Sequence, residues 1–279
     1  MTRLLLLLFL AAPLAAQAPV RVMSFNIRYG TANDGAHAWP ARRDRVMATI
    51  GDHAPHLLGV QEALDFQLRE IVAAHPRYRL VGVGRDNGAT KGEYSAILVD
   101  TTRFTVVDSG TFWYSDTPTV PGSMGWGNRI TRIATWARLA DRATGDTIHH
   151  VNTHWDHESQ PSRERSAAAL LAHLAARPGP KDLVLVTGDL NADEANAAAR
   201  ALLADARTPL RNAFRAVHPR ATDVGTFHGF TGTPTTGMID VVLVGPRWRV
   251  HDAGIDRRRF GDGWASDHWA VWGALSLEP

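Results

Sequence analysis

Short apolar runs, separated by polar stretches, recur along the chain from residue 20 onward. They lie at residues 20–27, 57–60, 78–83, 96–99, 104–107, 130–139, 147–155, 183–187, 239–244 and 268–277. Their length and their content of Val, Ile, Phe and Tyr favour β-strands. The sequence ATGD at residues 143–146 separates two of these runs and predicts a hairpin turn.

Helical patterns lie between the predicted strands, at residues 42–53, 65–74, 162–176 and 195–206. Pro76 follows the second pattern and Pro178 follows the third, as expected where a helix ends. Hairpins mixed with crossover connections predict an α/β sandwich and not a simple doubly wound sheet. Because no shift in composition marks a boundary, we predict a single domain over residues 19–279.

The first 18 residues have a pattern of their own. Arg3 precedes an apolar run at residues 4–12, and small residues follow at 15–18. This is the layout of a secretory signal peptide, and the run is shorter than the roughly 20 residues that span a membrane. We therefore predict a signal peptide at residues 1–18, with cleavage after Ala16 or Ala18. The protein is expected to be exported, periplasmic or extracellular, without a stable membrane anchor.

Composition excludes several kinds of chemistry. The chain has no Cys, so disulfides, a thiolate nucleophile and a cysteine zinc site are all excluded. A net charge of +2 is too small to indicate a nucleic-acid partner. The 13 His and nine Trp residues are high counts, which favour a polar site lined by aromatic groups. No feature indicates a protein partner, and we expect a monomer.

Polar residues stand abruptly at the ends of the predicted strands. They are Asn26, Glu62, His154, Asp189, Asn191, Asp240, Asp267 and His268. Strand ends at one edge of a sheet are where side chains from distant parts of a sequence converge. Hard cations such as Mg²⁺ take oxygen ligands, which Glu62, Asp189 and Asp267 could supply. Asp189 and Asn191 would face the same side of a strand, so both could address one phosphate.

Each of these features alone is more typical of a turn, a helix cap or a hydrogen-bonded core histidine. Taken in order, however, they resemble the endonuclease/exonuclease/phosphatase superfamily, which includes DNase I, AP endonucleases, inositol polyphosphate 5-phosphatases, neutral sphingomyelinases and deadenylases. The resemblance is strongest to a bacterial, often exported group distantly related to the deadenylase/nocturnin branch. Its motifs stand at residues 25–30 (FNIRYG), 61–63 (QEA), 84–88 (GRDNG), 92–97 (GEYSAI), 110–113 (GTFW), 132–136 (RIATW), 152–157 (NTHWDH), 188–191 (GDLN), 226–230 (TFHGF), 238–240 (MID) and 266–268 (SDH). Trp155 stands where the family pattern has Leu or Phe, which puts only local packing or substrate fit in question.

The resemblance implies a four-layered, DNase I-like α/β sandwich, with two facing β-sheets and helices outside. It also implies that Glu62 binds Mg²⁺ or Mn²⁺, with Asn26 beside it and Asp267 at the edge of the metal. Asp189 would position or deprotonate the attacking water, and Asn191 would hydrogen-bond the phosphate.

Two histidines complete the implied machinery. His268, oriented by Asp240, would stabilise the charge that develops on phosphorus. His154, supported by Glu93, would contact the phosphate or protonate the leaving oxygen. Arg132 and His228 match positions particular to the bacterial subgroup, where substrate contact and a structural role are both open. From composition alone, Trp113 and Trp126 bound an aromatic loop that could rim the site.

The predicted activity is therefore metal-dependent hydrolysis of a phosphate ester, as a phosphodiesterase, nuclease or phosphatase. A small phosphate ester or a single-stranded nucleic-acid end is favoured over duplex DNA, which needs several Lys or Arg contacts to phosphates. A sphingomyelinase-like phospholipid hydrolase is one alternative, although the loop between Trp113 and Trp126 is too polar for a membrane wedge. A catalytically inactive binding module is another, but Glu62, Asp189 and His268 are all present.

Overall fold

The computed structural model describes residues 18–177, 179 and 181–277. Its strands are β1 (Val20–Asn26), β2 (Leu57–Ala63), β3 (Tyr78–Val81), β4 (Tyr94–Asp100), β5 (Phe104–Trp113), β6 (Ile133–Asp141), β7 (Thr147–His154), β8 (Leu183–Asp189), β9 (Arg211–Asn212), β10 (Asp240–Val244), β11 (Trp248–Asp256) and β12 (Ala270–Leu277). Its helices are α1 (Trp39–His53), α2 (Asp65–Ala74), α3 (Gln160–Ala175), α4 (Ala197–Ala204) and α5 (Ala213–Val217). The signal peptide predicted at residues 1–18 lies outside the described residues, with the exception of Ala18. Within the described ranges, no helix combines the length and apolarity needed to cross a membrane.

The strands form two six-stranded mixed sheets that face each other. The strand order is β11-β12-β1-β2-β4-β3 in the first sheet and β5-β6-β7-β8-β10-β9 in the second. Each sheet contains one parallel pair, β1 with β2 and β7 with β8, joined through α1 and α3 respectively. Helices cover the outer faces, so the predicted four-layered α/β sandwich is confirmed. The single-domain boundary at residues 19–279 remains a prediction.

Three apolar layers hold the sandwich together. One lies between the sheets, with Leu57, Ile97 and Leu185 among its members. A second packs α3 and α4 on the second sheet, and a third packs α1 and α2 on the first. Strands buried on both faces explain why the central runs are almost continuously apolar.

The predicted elements agree with the structure except near their ends, but three elements were not predicted, namely the edge strands β9 and β11 and the short helix α5. The hairpin turn at residues 143–146 joins the antiparallel strands β6 and β7. Helices α1 and α3 begin earlier than predicted, each with a proline in its first turn, where the missing N–H has no cost. Strand β11 was not predicted because it lacks a regular apolar pattern. It is an edge strand with several charged or exposed residues and a bulge after Val250.

Candidate active site

A cleft of about 770 Å³ opens where the central strands of both sheets end. Strands β2, β7 and β8 run toward it and end in Glu62, His154 and Asp189, which line it. Strand β12 runs away from it, and His268 lies just before its first residue. The topology therefore brings the predicted strand-end residues together.

Pairing within the second sheet places three of these residues side by side. Asp189 is aligned with His154 on β7 and with Asp240 on β10. Neighbouring strands lie about 5 Å apart, so these three side chains form a row across the sheet. All three are buried, and Asp240 is fully enclosed.

His268 lies between two of these carboxylates. Its Nδ1 is 2.8 Å from Asp240 Oδ2, and its Nε2 is 3.8 Å from Asp189 Oδ2. Burial lowers the pKa of His268, but Asp240 and Asp189 together raise it well above its ordinary value. Burial and the nearby Asp240 raise the pKa of Asp189 to about 7. The predicted pairing of His268 with Asp240 is present, although Asp240 lies behind His268 and does not line the cleft.

Asn26 connects the two sheets at the site. Its side chain is fully buried, and its Nδ2 donates to Glu62 Oε1 at 3.1 Å and to Asp189 Oδ2 at 2.9 Å. Glu62 belongs to the first sheet and Asp189 to the second. One amide group therefore fixes the spacing of two carboxylates that come from different sheets.

A β-bulge turns Glu62 toward the cleft. The pairing of β2 with β4 shifts between Val60 and Ala63, and Glu62 has a φ of +61°. Gln61, its neighbour, faces the second sheet, so regular alternation would point Glu62 away from that sheet. Arg28, Asn191 and Phe230 also have positive φ and also line the cleft. Backbone strain of this kind is concentrated at functional sites.

A positively charged side chain, that of Arg28, lies beside two carboxylates on one side of the cleft. The Arg28 guanidinium lies 3.9 Å from Glu62 Oε2 and 3.7 Å from Asp267 Oδ2. Asp34 holds it from the other side with two hydrogen bonds, of 2.9 and 3.1 Å. Glu62 and Asp267 thus form a pair of carboxylates, partly open to the cleft, with the oxygen donors that a hard cation requires.

A second group could also hold an ion. Ligand atoms of Asp189, Asp240 and His268 lie within 4.8 Å of one another. However, the His268–Asp240 contact already engages one nitrogen and one carboxylate oxygen, and Asp240 has no exposed surface. On these grounds we favour Glu62 and Asp267 as the cation ligands.

Asn191 reaches the cleft from a turn and not from a strand. Strand β8 ends at Asp189, whose Oδ1 accepts the backbone N–H of Asn191 at 2.9 Å, so the prediction that both lie on one strand is wrong. The Asn191 Nδ2 donates to Trp155 O and to His154 Nε2, both at 3.0 Å. His154 Nε2 therefore acts as an acceptor. Burial, followed by the charge of Arg132, lowers the pKa of His154 well below its ordinary value.

The predicted support of His154 by Glu93 is not found. Glu93 instead accepts a 2.6 Å hydrogen bond from Arg85, which lies on the same hairpin loop. The two residues also share a backbone hydrogen bond of 3.1 Å, which holds the pair together locally. Burial raises the pKa of Glu93 to about 7, against the effect of Arg85. Both Glu93 and Arg85 line the cleft.

Three of the predicted substrate contacts lie away from the cleft lining. His228 is fully buried and stacks on Trp269 with ring centroids 4.4 Å apart. Trp113 is buried and donates to Arg85 O, whereas Trp126 donates to Asp116. Of this group only Arg132 lines the cleft. Trp155 is enclosed beside Tyr114, so its departure from the family pattern concerns packing alone.

Other residues line the cleft that were not predicted as site residues. Phe227 packs on His268 with centroids 4.9 Å apart, and Phe230 stacks on His37. Arg28, Arg85 and His157 add polar groups. All except His37 stand inside the quoted motifs, so their position beside strand-end residues was a usable signal.

Comparison with known proteins agrees with this geometry. The family model described as Endonuclease/Exonuclease/phosphatase family matches residues 23–268. The chain belongs to this family. The predicted resemblance is thereby confirmed. Members of this family are typically phosphoester hydrolases and typically use divalent metals.

Solved structures show the same relationship. An endonuclease/exonuclease/phosphatase from Bacteroides vulgatus is 34% identical, with a TM-score of 0.86, and the match covers 94% of this chain and 100% of that one. A mannosyl-6-phosphatase from Bacteroides thetaiotaomicron is 29% identical, with a TM-score of 0.84, over 92% of this chain and 100% of that one. The catalytic domain of human nocturnin is 18% identical, with a TM-score of 0.75 over 94% of both chains, and shows the fold alone. A comparison with curated proteins found no match.

Proposed function

We propose that the protein hydrolyses small phosphate esters by attack of water on phosphorus, with Mg²⁺ or Mn²⁺ as cofactor. Glu62 and Asp267 would hold the cation, and Asn26 would keep Glu62 in place. When bound, the cation would draw charge from the phosphoryl oxygens.

The observation that carries this proposal is the group of Asp189, His268 and Asp240 beside the acidic pair. Asp189 has a pKa near neutrality, which suits a group that accepts a proton from water. Asp240 keeps His268 charged and oriented, so that its Nε2 can stabilise negative charge on the phosphoryl group.

Asn191 and His154 complete the proposed phosphate site. Both line the cleft next to Asp189, and the hydrogen bond between them fixes their relative orientation. Because the pKa of His154 is low and its Nε2 accepts from Asn191, we assign it the orientation of the Asn191 amide at the phosphate and not donation of a proton. An inactive binding module would not need this set of mutually oriented groups.

The cleft favours a small substrate. Its volume of about 770 Å³ lies within the range of small-molecule pockets. Two of its arginines, Arg28 and Arg85, are each bonded to a carboxylate and are not arranged as a track for duplex phosphates. The likeness to a mannosyl-6-phosphatase supports a sugar phosphate as the substrate class.

The experiment is a substrate screen of the purified protein with Mg²⁺, Mn²⁺ or EDTA. We expect turnover of sugar phosphates that EDTA abolishes and either metal restores. Glu62→Gln should weaken metal binding in calorimetry and reduce turnover by about 100-fold or more, because a carboxylate ligand is lost. Glu164→Gln, on the exposed face of α3, is the matched control and should behave as wild type.

Full activity in EDTA would overturn the metal-dependent mechanism. Fastest cleavage of plasmid DNA, with a rate that falls steeply with added salt, would overturn the small-substrate assignment.

A further inference from the structure

Arg132 is deeply buried but incompletely paired. Its side chain is 2% exposed, and its Nη1 has no hydrogen-bond partner among the residues that the structure describes. Its Nε reaches Asp156 Oδ2 only at 3.5 Å, the outer limit of a hydrogen bond. Buried guanidinium groups are normally paired, because an unpaired buried charge costs free energy.

The side chains next to Arg132 do not complete the pairing of its guanidinium group. Asp156 Oδ1 accepts the backbone N–H groups of Glu158 and Ser159 at 3.0 and 2.6 Å, so this carboxylate already serves the start of α3. His157 Nδ1 lies 2.8 Å from Arg132 Nη2 and accepts that hydrogen, so it offers a hydrogen-bond acceptor but no negative charge. Burial lowers the pKa of Arg132, and Arg85 acts in the same direction.

A second guanidinium lies on the same wall of the cleft. Arg85 is 8% exposed as a residue and lines the cleft with Arg132. Its Nη2 donates to Glu93 at 2.6 Å, and burial raises the pKa of that carboxyl group to about 7 against the effect of Arg85. Two arginines that repel each other at a cleft wall are stabilised by an anion between them, and their N–H groups fit the oxygen atoms of a carboxylate or a phosphate.

The position of this wall separates it from the reacting phosphate. Arg132 comes directly before β6, and the strand order is β6-β7-β8-β10. The register of β6 with β7 puts Ile133 next to His154, so Arg132 lies one residue beyond the row that His154 forms with Asp189 and Asp240. With strands about 5 Å apart, the end of β6 lies about 5 Å from that of β7 and about 10 Å from that of β8, so this wall adjoins His154 and lies away from Asp189.

We propose that Arg132 and Arg85, with His157 at the edge, form a second anionic subsite that binds a further phosphate or carboxylate of the substrate. The inference rests on the proposed function and narrows it: the preferred substrates are small phosphate esters with two acidic groups. Cleavage takes place at Asp189 and His268, and the second group determines specificity.

The test compares matched substrates, fructose 6-phosphate with fructose 1,6-bisphosphate and glucose 6-phosphate with glucose 1,6-bisphosphate. Wild type should prefer each bisphosphate in kcat/KM. Arg132→Gln should reduce that preference about tenfold or more, since a charge-assisted hydrogen bond is lost. Arg85→Gln should do the same, which keeps the test valid if one variant fails to fold. Arg129→Gln, whose side chain is 85% exposed, is the control and should keep the wild-type ratio.

Calorimetry on the metal-free protein separates this inference from the proposed function. The bisphosphates should bind more tightly than the monophosphates, and Arg132→Gln should remove the difference even if the protein hydrolyses neither. An equal loss for both members of each pair would place Arg132 on the reacting phosphate and overturn the second subsite. An unchanged preference in folded Arg132→Gln and Arg85→Gln would overturn it as well.

Discussion

Arg28 and a divalent cation would compete for the same two carboxylates. The guanidinium lies within 4 Å of both Glu62 and Asp267, and two hydrogen bonds to Asp34 hold it to one side. Asp34 raises the pKa of Arg28, so Arg28 keeps its charge at any pH of interest. The position of the Arg28 guanidinium between Asp34 and the two carboxylates therefore determines how strongly Arg28 repels a metal ion bound there.

We predict that substitutions of Arg28 and of Asp34 have opposite effects on metal affinity. Arg28→Gln should tighten Mg²⁺ or Mn²⁺ binding by about tenfold, because a positive charge within 4 Å of both carboxylates is removed. Asp34→Asn should weaken it, because Arg28 is released toward Glu62 and Asp267. Calorimetric titration measures both without turnover.

The double variant is the control for this mechanism. If Asp34 acts through Arg28, then Asp34→Asn should have a smaller effect when Arg28 is already Gln. Weaker metal binding in Arg28→Gln would contradict the competition and make Arg28 part of the metal site.

At the scale of single residues, the sequence predicted which residues lie in the cleft better than it predicted the contacts between them. Asp189, Asn191, His154 and His268 could be found because polar residues interrupt apolar runs, and the sheets bring those interruptions to one cleft. The partner of His154 could not be found this way. It depends on a turn that places Asn191 in a left-handed conformation, and on the local attraction of Glu93 to Arg85.

At the scale of elements, a histidine pair joins α3 to the second sheet. His149 on β7 and His173 on α3 lie with their Nε2 atoms 3.0 Å apart, which requires that one donates and the other accepts. Both rings pack on Trp136, and His173 also packs on Phe112. Burial lowers the pKa of each histidine to about 4.

We predict that this pair makes the fold sensitive to acid. The unfolded chain binds protons at its histidines below about pH 6.5, whereas the folded pair does so only near pH 4. Between these values the unfolded state binds more protons, so the free energy of unfolding should fall as the pH is lowered through this window. The expected loss is roughly 2 kcal/mol or more.

Chemical denaturation at several pH values between 4 and 7 measures this loss. His173→Gln keeps a hydrogen-bonding side chain that does not titrate and should make the pH dependence shallower. His251→Gln, at an exposed position on β11, is the control and should leave the slope unchanged. An equal slope in wild type and His173→Gln would show that the pair does not titrate on unfolding.

Element boundaries were predictable where periodicity and local chemistry agree. The bounds of α2 were predicted without error, because Pro76 follows soon after its end. Strand β5 is longer than predicted, since its second half is exposed and polar up to Thr111. No pattern within one strand reveals the bulge at Glu62, which depends on pairing between β2 and β4.

At the scale of the whole molecule, a polar seam crosses the otherwise apolar interface between the sheets. Asn152 of β7 is fully buried, and its Nδ2 donates to Val60 O at 2.9 Å and to Ala96 O at 2.8 Å. Its Oδ1 accepts from Gln61 Nε2 at 2.7 Å and from Thr187 Oγ1 at 3.0 Å. The side chain thus uses all its hydrogen-bonding capacity across the two sheets.

This seam could not be foreseen from the sequence pattern. The NTH sequence at residues 152–154 is part of a family motif and so identified Asn152 as a residue of interest. The strand order, however, determines which backbone groups face the Asn152 side chain. Strand β1, for example, pairs with β12 from the opposite end of the chain. The mixture of hairpins and crossovers predicted an α/β sandwich, but its four layers were predicted from family resemblance, because periodicity identifies strands and not their partners.

The seam also aligns the active site. Its carbonyl partner Val60 adjoins the bulge that turns Glu62 into the cleft, and Thr187 stands two residues before Asp189. Gly59 lies at the same point, where an added Cβ would collide with the side chains of Thr187 and Asn152. The two sheets therefore approach each other closely just beneath the two carboxylates that Asn26 joins.

We predict that Asn152→Ala lowers the free energy of unfolding by about 3 kcal/mol, because buried carbonyl, amide and hydroxyl groups lose their partner. Turnover should fall with it at temperatures where the variant is still folded, since Glu62 and Asp189 lose their common support. Gly59→Ala should have both effects although every hydrogen-bonding group is kept, because the added methyl group forces the sheets apart. Thr105→Ala, at an exposed position of β5, is the control and should change stability by less than about 0.5 kcal/mol. Denaturation and steady-state kinetics on the same preparations measure both quantities. If Asn152→Ala lost stability but kept full turnover, the seam would hold the sheets together without setting the geometry of the site.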